Sequence, residues 1–94
     1  MRIGKVTGQV VSTAKDPSLA GLTLLILEPL LPDGADREPF VAVDLIGAGP
    51  GEVVLCASGS AARVAAATAS AVVDCAVVAI ADSVINAGDV VYSK

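Results

Sequence analysis

Residues 46–63 read Ile-Gly-Ala-Gly-Pro-Gly-Glu-Val-Val-Leu-Cys-Ala-Ser-Gly-Ser-Ala-Ala-Arg. The stretch holds a glycine-rich turn, Gly47 to Gly51, an apolar run, Val53 to Ala57, and a second turn of small residues, Ser58-Gly59-Ser60. Three glycines and a proline within five residues force an unusual backbone path. Glu52 and Arg63 are the only charges, and they bracket the apolar run. A dinucleotide-binding turn, G-x-G-x-x-G, needs glycine where Glu52 stands and should open a helix. A Walker A loop ends on Gly-Lys-Ser/Thr, and no lysine lies between Lys15 and Lys94. The favoured reading is a shaped turn between two strands.

On the C-terminal side, Ser58-Gly59-Ser60 offers a hydroxyl N-cap for a short helix of one or two turns beginning near Ala61. Asp74 to Ile85 reads as the last long strand, with Val78, Ile80, Asp82 and Val84 on one face. A carboxylate at Asp82 among valines calls for backbone N–H groups or an arginine as partner, with a functional role as the alternative. Asn86-Ala87-Gly88-Asp89 is a turn, and Val90 to Tyr92 a short closing strand.

On the N-terminal side, Phe40 to Ile46 is a strand interrupted by Asp44. Pro32 to Pro39 is a polar loop, read as a hairpin tip. Leu19 to Glu28 favours a strand buried on both faces, with a short helix as the alternative. Lys15 to Ser18 is a turn. Ile3 to Thr13 alternates, with Gly4, Val6, Gly8 and Val10 on one face and Lys5, Thr7 and Gln9 on the other. Glycines on the inner face point to strong bending or close backbone approach, as at a barrel corner. Five short strands plus one short helix make an all-β chain: a small, five-stranded OB-like β-barrel.

Composition narrows the function. The 94 residues suffice for one domain, 1–94. Hydrophobic residues make up 54% of the chain, and alanine and valine supply 32 of them. A domain of this size buries only about 60–68% of its unfolded surface. The apolar excess therefore points to self-association. A net charge of −4 argues against nucleic acid, and two aromatic residues leave no stacking platform for single strands. There is no histidine, the commonest general base and metal ligand. Cys56 and Cys75 are 19 positions apart without a zinc-type spacing. They read as reduced core thiols of a cytosolic protein, since no signal peptide is apparent. The longest uncharged runs fall short of the 18 or more residues of a spanning helix, so no membrane span is expected. No catalytic residue, cofactor or metal site is assigned. An enzyme would have to rest on Asp44, Asp74, Asp82 or the cysteines.

Four segments carry a family resemblance. Gly-Lys-Val-Thr-Gly-Gln-Val-Val-Ser-Thr-Ala-Lys at 4–15 looks like the opening of the bacterial microcompartment vertex proteins, the carboxysome and ethanolamine-utilisation pentamer family. Ile-Gly-Ala-Gly-Pro-Gly-Glu-Val-Val-Leu at 46–55 resembles that family's G-A-G-x-G-E loop. Gly-Ser-Ala-Ala-Arg at 59–63 and Val-Asp-Cys-Ala-Val-Val-Ala-Ile-Ala-Asp at 73–82 match its later segments in order and spacing. Ala61, Val73 and Cys75 depart from the family's usual serine, proline and small residue.

The resemblance implies a structural shell protein: an OB-like barrel whose homopentamer closes the vertices of a polyhedral shell. Its partners would be hexameric shell proteins, with no nucleic acid and no membrane, and its location the shell of a cytoplasmic microcompartment. On this reading Gly47, Ala48, Gly49, Pro50, Gly51 and Glu52 form a loop touching a neighbouring shell component. Gly59 and Ser60 face a pore on the five-fold axis. Arg63 and Asp82 are subunit-interface candidates, with Arg63 paired to a carboxylate such as Asp82 or one from a neighbouring chain. The alternative is a small OB-like module that binds a small ligand or peptide.

Overall fold

Glycines at positions 4 and 8 set the curvature of the first strand, β1 (Arg2–Val10). A side chain at Gly4 would come within 3.2 Å of the Glu28 carbonyl and of the Leu27 Cβ. Between Val6 and Gly8 the register to the next strand slips, leaving Thr7 as a bulge. Bulges bend and twist a strand, as barrel closure requires. The bending expected from the sequence is therefore present.

The computed structural model describes residues 1–31 and 37–94. The core of the expected hairpin tip, 32–36, lies outside the described residues. Four more strands complete a closed barrel: β2 (Thr23–Pro29), β3 (Phe40–Asp44), β4 (Val53–Ser58) and β5 (Cys75–Ile80). Around the barrel the order is β1-β2-β3-β5-β4. Every pairing is antiparallel except β3 with β5. Leu19–Glu28 is thus strand from Thr23, after a short turn at Pro17–Leu19, but it is fully buried on one face only. Leu25 and Leu27 are enclosed, whereas Leu24 and Ile26 on the other face are half-buried.

The interior is small and aliphatic. Val6, Leu25, Leu27, Ala42, Val54, Cys56, Cys75 and Val77 form one cluster, with Phe40 and Ile80 packed against it. Each fully buried leucine or valine there contributes about 1.5–3 kcal/mol. The alternation of inward and outward residues is what a closed sheet demands.

Two expectations need correction. The helix near Ala61 is only a pair of 3-10 turns, Gly59–Arg63 and Ala66–Thr68, and Ser58 makes no side-chain capping bond. Gly59 has a φ of +64°, so the chain enters the turn from a left-handed residue. Buried Thr68 then pins the segment: its hydroxyl donates to the Ala62 carbonyl at 2.7 Å. The strand expected over Asp74–Ile85 is also two strands. β5 ends at Ile80 because β4 begins at Val53, and the last bond between them runs from the Ala81 amide to the Val53 carbonyl. The chain then leaves the barrel as a hairpin, β6 (Ser83–Asn86) and β7 (Asp89–Ser93). Its turn is Ala87-Gly88, with φ of +53° and +84°. Positive φ at both central residues matches the right-handed twist of paired strands. Asp82 stands exposed at the crossing, so it needs none of the internal partners a buried carboxylate would require.

Candidate assembly surfaces

The glycine-rich loop joins β3 to β4. Asp44, at the end of β3, organises its first half. One carboxylate oxygen accepts from the Ile46 and Gly47 amides at 3.0 and 2.9 Å, and the other from the Ala48 amide at 3.0 Å. Short acidic side chains commonly bond the backbone just ahead of them in this way. Glu52 organises the second half, accepting from the Gly49 amide at 2.7 Å. The Gly51 amide donates to the Val6 carbonyl, and the Val6 amide to the Glu52 carbonyl, which staples the loop to β1. Gly47 and Gly51 have φ of +96° and +83°, where any other residue would be strained.

Glu52 has a second partner that the sequence did not suggest. Lys94, beyond β7, places its ammonium 3.1 Å from the other Glu52 carboxylate oxygen. The Gly49 amide first, and Lys94 second, hold the Glu52 carboxyl below its ordinary range. The same hydrogen bond raises the Lys94 ammonium. Glu52 therefore does not stand out from the loop as a loose charge. It ties the loop to the end of the hairpin.

The second turn lies at the opposite end of β4. Gly59 and Ser60 are exposed there, and the Gly59 amide donates to the Asp74 carbonyl at 2.7 Å. Arg63 donates to the Val73 carbonyl at 3.1 Å. A contact between Arg63 and Asp82 within one chain is excluded by the β4–β5 register. Ser58 faces Cys75 at one end of that ladder and Val54 faces Ile80 at the other. Arg63 follows the first end and Asp82 the second, about 20 Å apart for a strand of this length. The structure thus brings Glu52 near Lys94 and Asp82, and separates them all from Gly59, Ser60 and Arg63.

Sequence reading also missed the outer face of the hairpin. Ile85 and Val90 sit opposite one another in the β6–β7 ladder and are 66% and 63% exposed. On the other side of the pair, Val84 faces Tyr92, and both are half-buried. The residues between them alternate too briefly to announce an apolar outer face. A separate shallow groove is lined by Leu19, Leu24, Val41, Val43, Val72 and Val73. Val41 and Val72 are themselves 47% and 64% exposed. Among the described residues no cluster of three His, Cys, Asp or Glu side chains could hold a metal, and no helix is long and apolar enough to cross a membrane.

With this geometry in view, relatives are informative. The family model for ethanolamine utilisation protein EutN/carboxysome proteins matches residues 1–82. A bacterial microcompartment shell vertex protein, GrpN of Rhodospirillum rubrum, is 47% identical over 88 residues, covering 89% of this chain and 96% of that protein. The solved structure of Gloeobacter violaceus CcmL superposes with a TM-score of 0.87 at 41% identity, covering all of this chain and 98% of that one. A structure described as the GrpN pentameric microcompartment shell protein from Rhodospirillum rubrum gives a TM-score of 0.78 at 44% identity, covering 92% of this chain and 99% of that one. Sequence and fold agree over the whole barrel, and the chain belongs to the EutN/CcmL family.

Proposed function

We propose that the chain is a structural shell protein whose copies close into a pentamer and cap the vertices of a polyhedral bacterial microcompartment. The observation that carries this reading is the match, in sequence and fold, to a relative described as a pentameric shell protein. The surface of this chain supports it. A closed ring joins one patch of each subunit to a different patch of the next. The chain has two separated apolar surfaces of this kind, the Ile85–Val90 face of the hairpin and the groove beside Val41 and Val72.

Within the ring, Gly59 and Ser60 are assigned to the five-fold axis. Their small size lets five chains crowd together. Arg63 and Asp82, at opposite ends of the β4–β5 ladder, are assigned to the subunit interfaces, where each meets a neighbouring chain. The loop Gly47–Glu52 is assigned to the contact with surrounding hexameric shell proteins. Its many backbone bonds give it a fixed shape to present. The role is architectural, with no catalytic step, and its place is the shell of a compartment in the bacterial cytoplasm.

Native mass spectrometry at micromolar concentration tests the ring. A pentamer is expected. A dominant monomer overturns the reading and favours a small ligand-binding barrel, and a stable hexamer overturns the vertex assignment. Co-expression with hexameric shell proteins, viewed by electron microscopy, tests the partner: closed polyhedra should form only when this chain is present.

A further inference from the structure

Five inward-facing positions meet at the mouth of the barrel where β4 ends and β5 begins. Arg2 pairs with Cys56, Ser58 with Cys75, and Phe40 with the fully buried Leu27. Directly paired residues share a face of the sheet, as do residues two apart. Arg2, Phe40, Cys56, Ser58 and Cys75 therefore line one mouth. The Arg2 guanidinium lies over the Phe40 ring, 3.6 Å from its centre. Cys56 and Cys75 are diagonal neighbours on one face of the β4–β5 ladder, and both are free.

The two thiols differ in access. Cys56 is completely enclosed, whereas Cys75 is 7% exposed and lines a recess of about 450 Å³ together with Arg2, Ser58, Gly59 and Asp74. Cysteines that only fill a core sit in apolar surroundings and are inert. Here the recess that Cys75 lines is also lined by Arg2, Ser58 and Asp74, and a second thiol sits diagonally across the ladder. Redox-responsive cysteines share this layout: a thiolate-favouring site, an approach for a small oxidant, and a resolving cysteine alongside.

We propose that Cys75 is an oxidation site for hydrogen peroxide, with Cys56 as the thiol that resolves it. The Cys75 thiolate attacks one peroxide oxygen, the O–O bond breaks, hydroxide leaves, and Cys75 becomes a sulfenic acid. The Cys56 sulfur then attacks the Cys75 sulfur. The S–O bond breaks, the departing hydroxide takes the Cys56 proton and leaves as water, and an S–S bond joins β4 to β5. Two thiols lose two electrons in all, and one peroxide is reduced to two waters.

The order of events follows from the surroundings. The hydrogen bond to Cys75, together with burial, raises the Cys56 thiol. The hydrogen bond from Cys56, then Ser58 and Arg2, lower Cys75 against the opposing effects of burial and Asp74. Diagonal neighbours in a sheet lie about 7–8 Å apart between Cα atoms, and a disulfide needs roughly 4.4–6.8 Å. Cys75 must therefore move toward β4 by about 1 Å. It is the first residue of its strand, where such a shift disturbs the fewest ladder bonds.

Treating the intact protein with hydrogen peroxide, alkylating the remaining thiols and mapping peptides by mass spectrometry tests this. The expected result is a fall from two free thiols per chain to none, with the peptides containing Cys56 and Cys75 joined within one chain. In Cys56→Ser, dimedone should trap a sulfenic acid at Cys75. In Cys75→Ser, trapping at Cys56 should be weaker by about tenfold or more. Both thiols remaining alkylatable under peroxide that fully oxidises free cysteine would overturn the proposal. So would preferential trapping at Cys56, or a product joined mainly between chains. The wild-type measurement stands even where a variant misfolds, and its outcome does not depend on the number of subunits in the ring.

Discussion

Glu52 shows what one side chain contributes. It accepts from the Gly49 amide and meets Lys94, so it links a turn to a chain end more than forty positions away. Its carboxyl titrates below the ordinary range, so its contribution is complete above the unfolded value, 4.5, and is lost as pH falls through the folded value. The Lys94 ammonium titrates above its ordinary value of 10.5, so its contribution is complete below that value and is lost as pH rises through the folded one. The clip is therefore closed across neutral pH and opens in strong acid and strong base. Glu52→Gln should leave the barrel and the isolated ring intact, remove the acid limb from hydrogen exchange of the hairpin amides, and impair shell closure. Normal closed polyhedra from that variant would remove the loop from the shell contact. Gly4 and Gly51 separate two other effects. Gly4→Ala forces a Cβ to 3.2 Å from backbone, and overpacking of this kind costs about 1–3 kcal/mol. Gly51→Ala meets nothing within 4 Å but keeps a left-handed φ, which costs about 1–2 kcal/mol. Urea unfolding of each variant reads the two costs separately.

At the scale of the elements, the hairpin is the part that cannot stand alone. Two strands in isolation are marginal in water, and this pair turns Ile85 and Val90 outward. Replacing both with lysine should leave the circular dichroism of the barrel unchanged while converting the ring to monomers in native mass spectra. A retained ring would place the interface elsewhere. The strands themselves were legible because alternation survives in Arg2–Val10 and because glycine and proline punctuate the remainder. Two features were hidden. The helix dissolved into 3-10 turns because alanine propensity alone, without an apolar stripe, gives a helix nothing to pack on. The break at Asp82 was invisible because strand length is set by the partner strand, and periodicity carries no record of where β4 begins. The same blindness to distant partners hid Lys94 and suggested a bond between Arg63 and Asp82. Asp44 looked like an interruption in a strand, yet its carboxylate shapes the loop that follows.

For the molecule as a whole, the aliphatic core accounts for the barrel and the leftover apolar surface for association. Small side chains make a thin barrel: Leu27 and valines are among its largest fully buried residues, and a single phenylalanine sits near one mouth. Thr68 belongs to this scale too, because its buried hydroxyl ties the two 3-10 turns of the long β4–β5 connection to one another. Thr68→Val keeps the volume but leaves the Ala62 carbonyl without that donor. It should lower stability by about 1–3 kcal/mol, measured as a shift in the urea midpoint, with the oligomer retained.

The position of β5 between β3 and β4 has a consequence in time. Strands β4, β1, β2 and β3 pair as a continuous antiparallel ribbon drawn wholly from the first 58 residues. That ribbon has two bare edges, β3 and β4, and both stay open until β5 arrives to insert between them, parallel to one and antiparallel to the other. Open edges of this kind recruit other chains. A chain released before Cys75 is thus a sticky sheet instead of a smaller barrel. Any interval between the emergence of β4 from the ribosome and that of β5 leaves both edges bare.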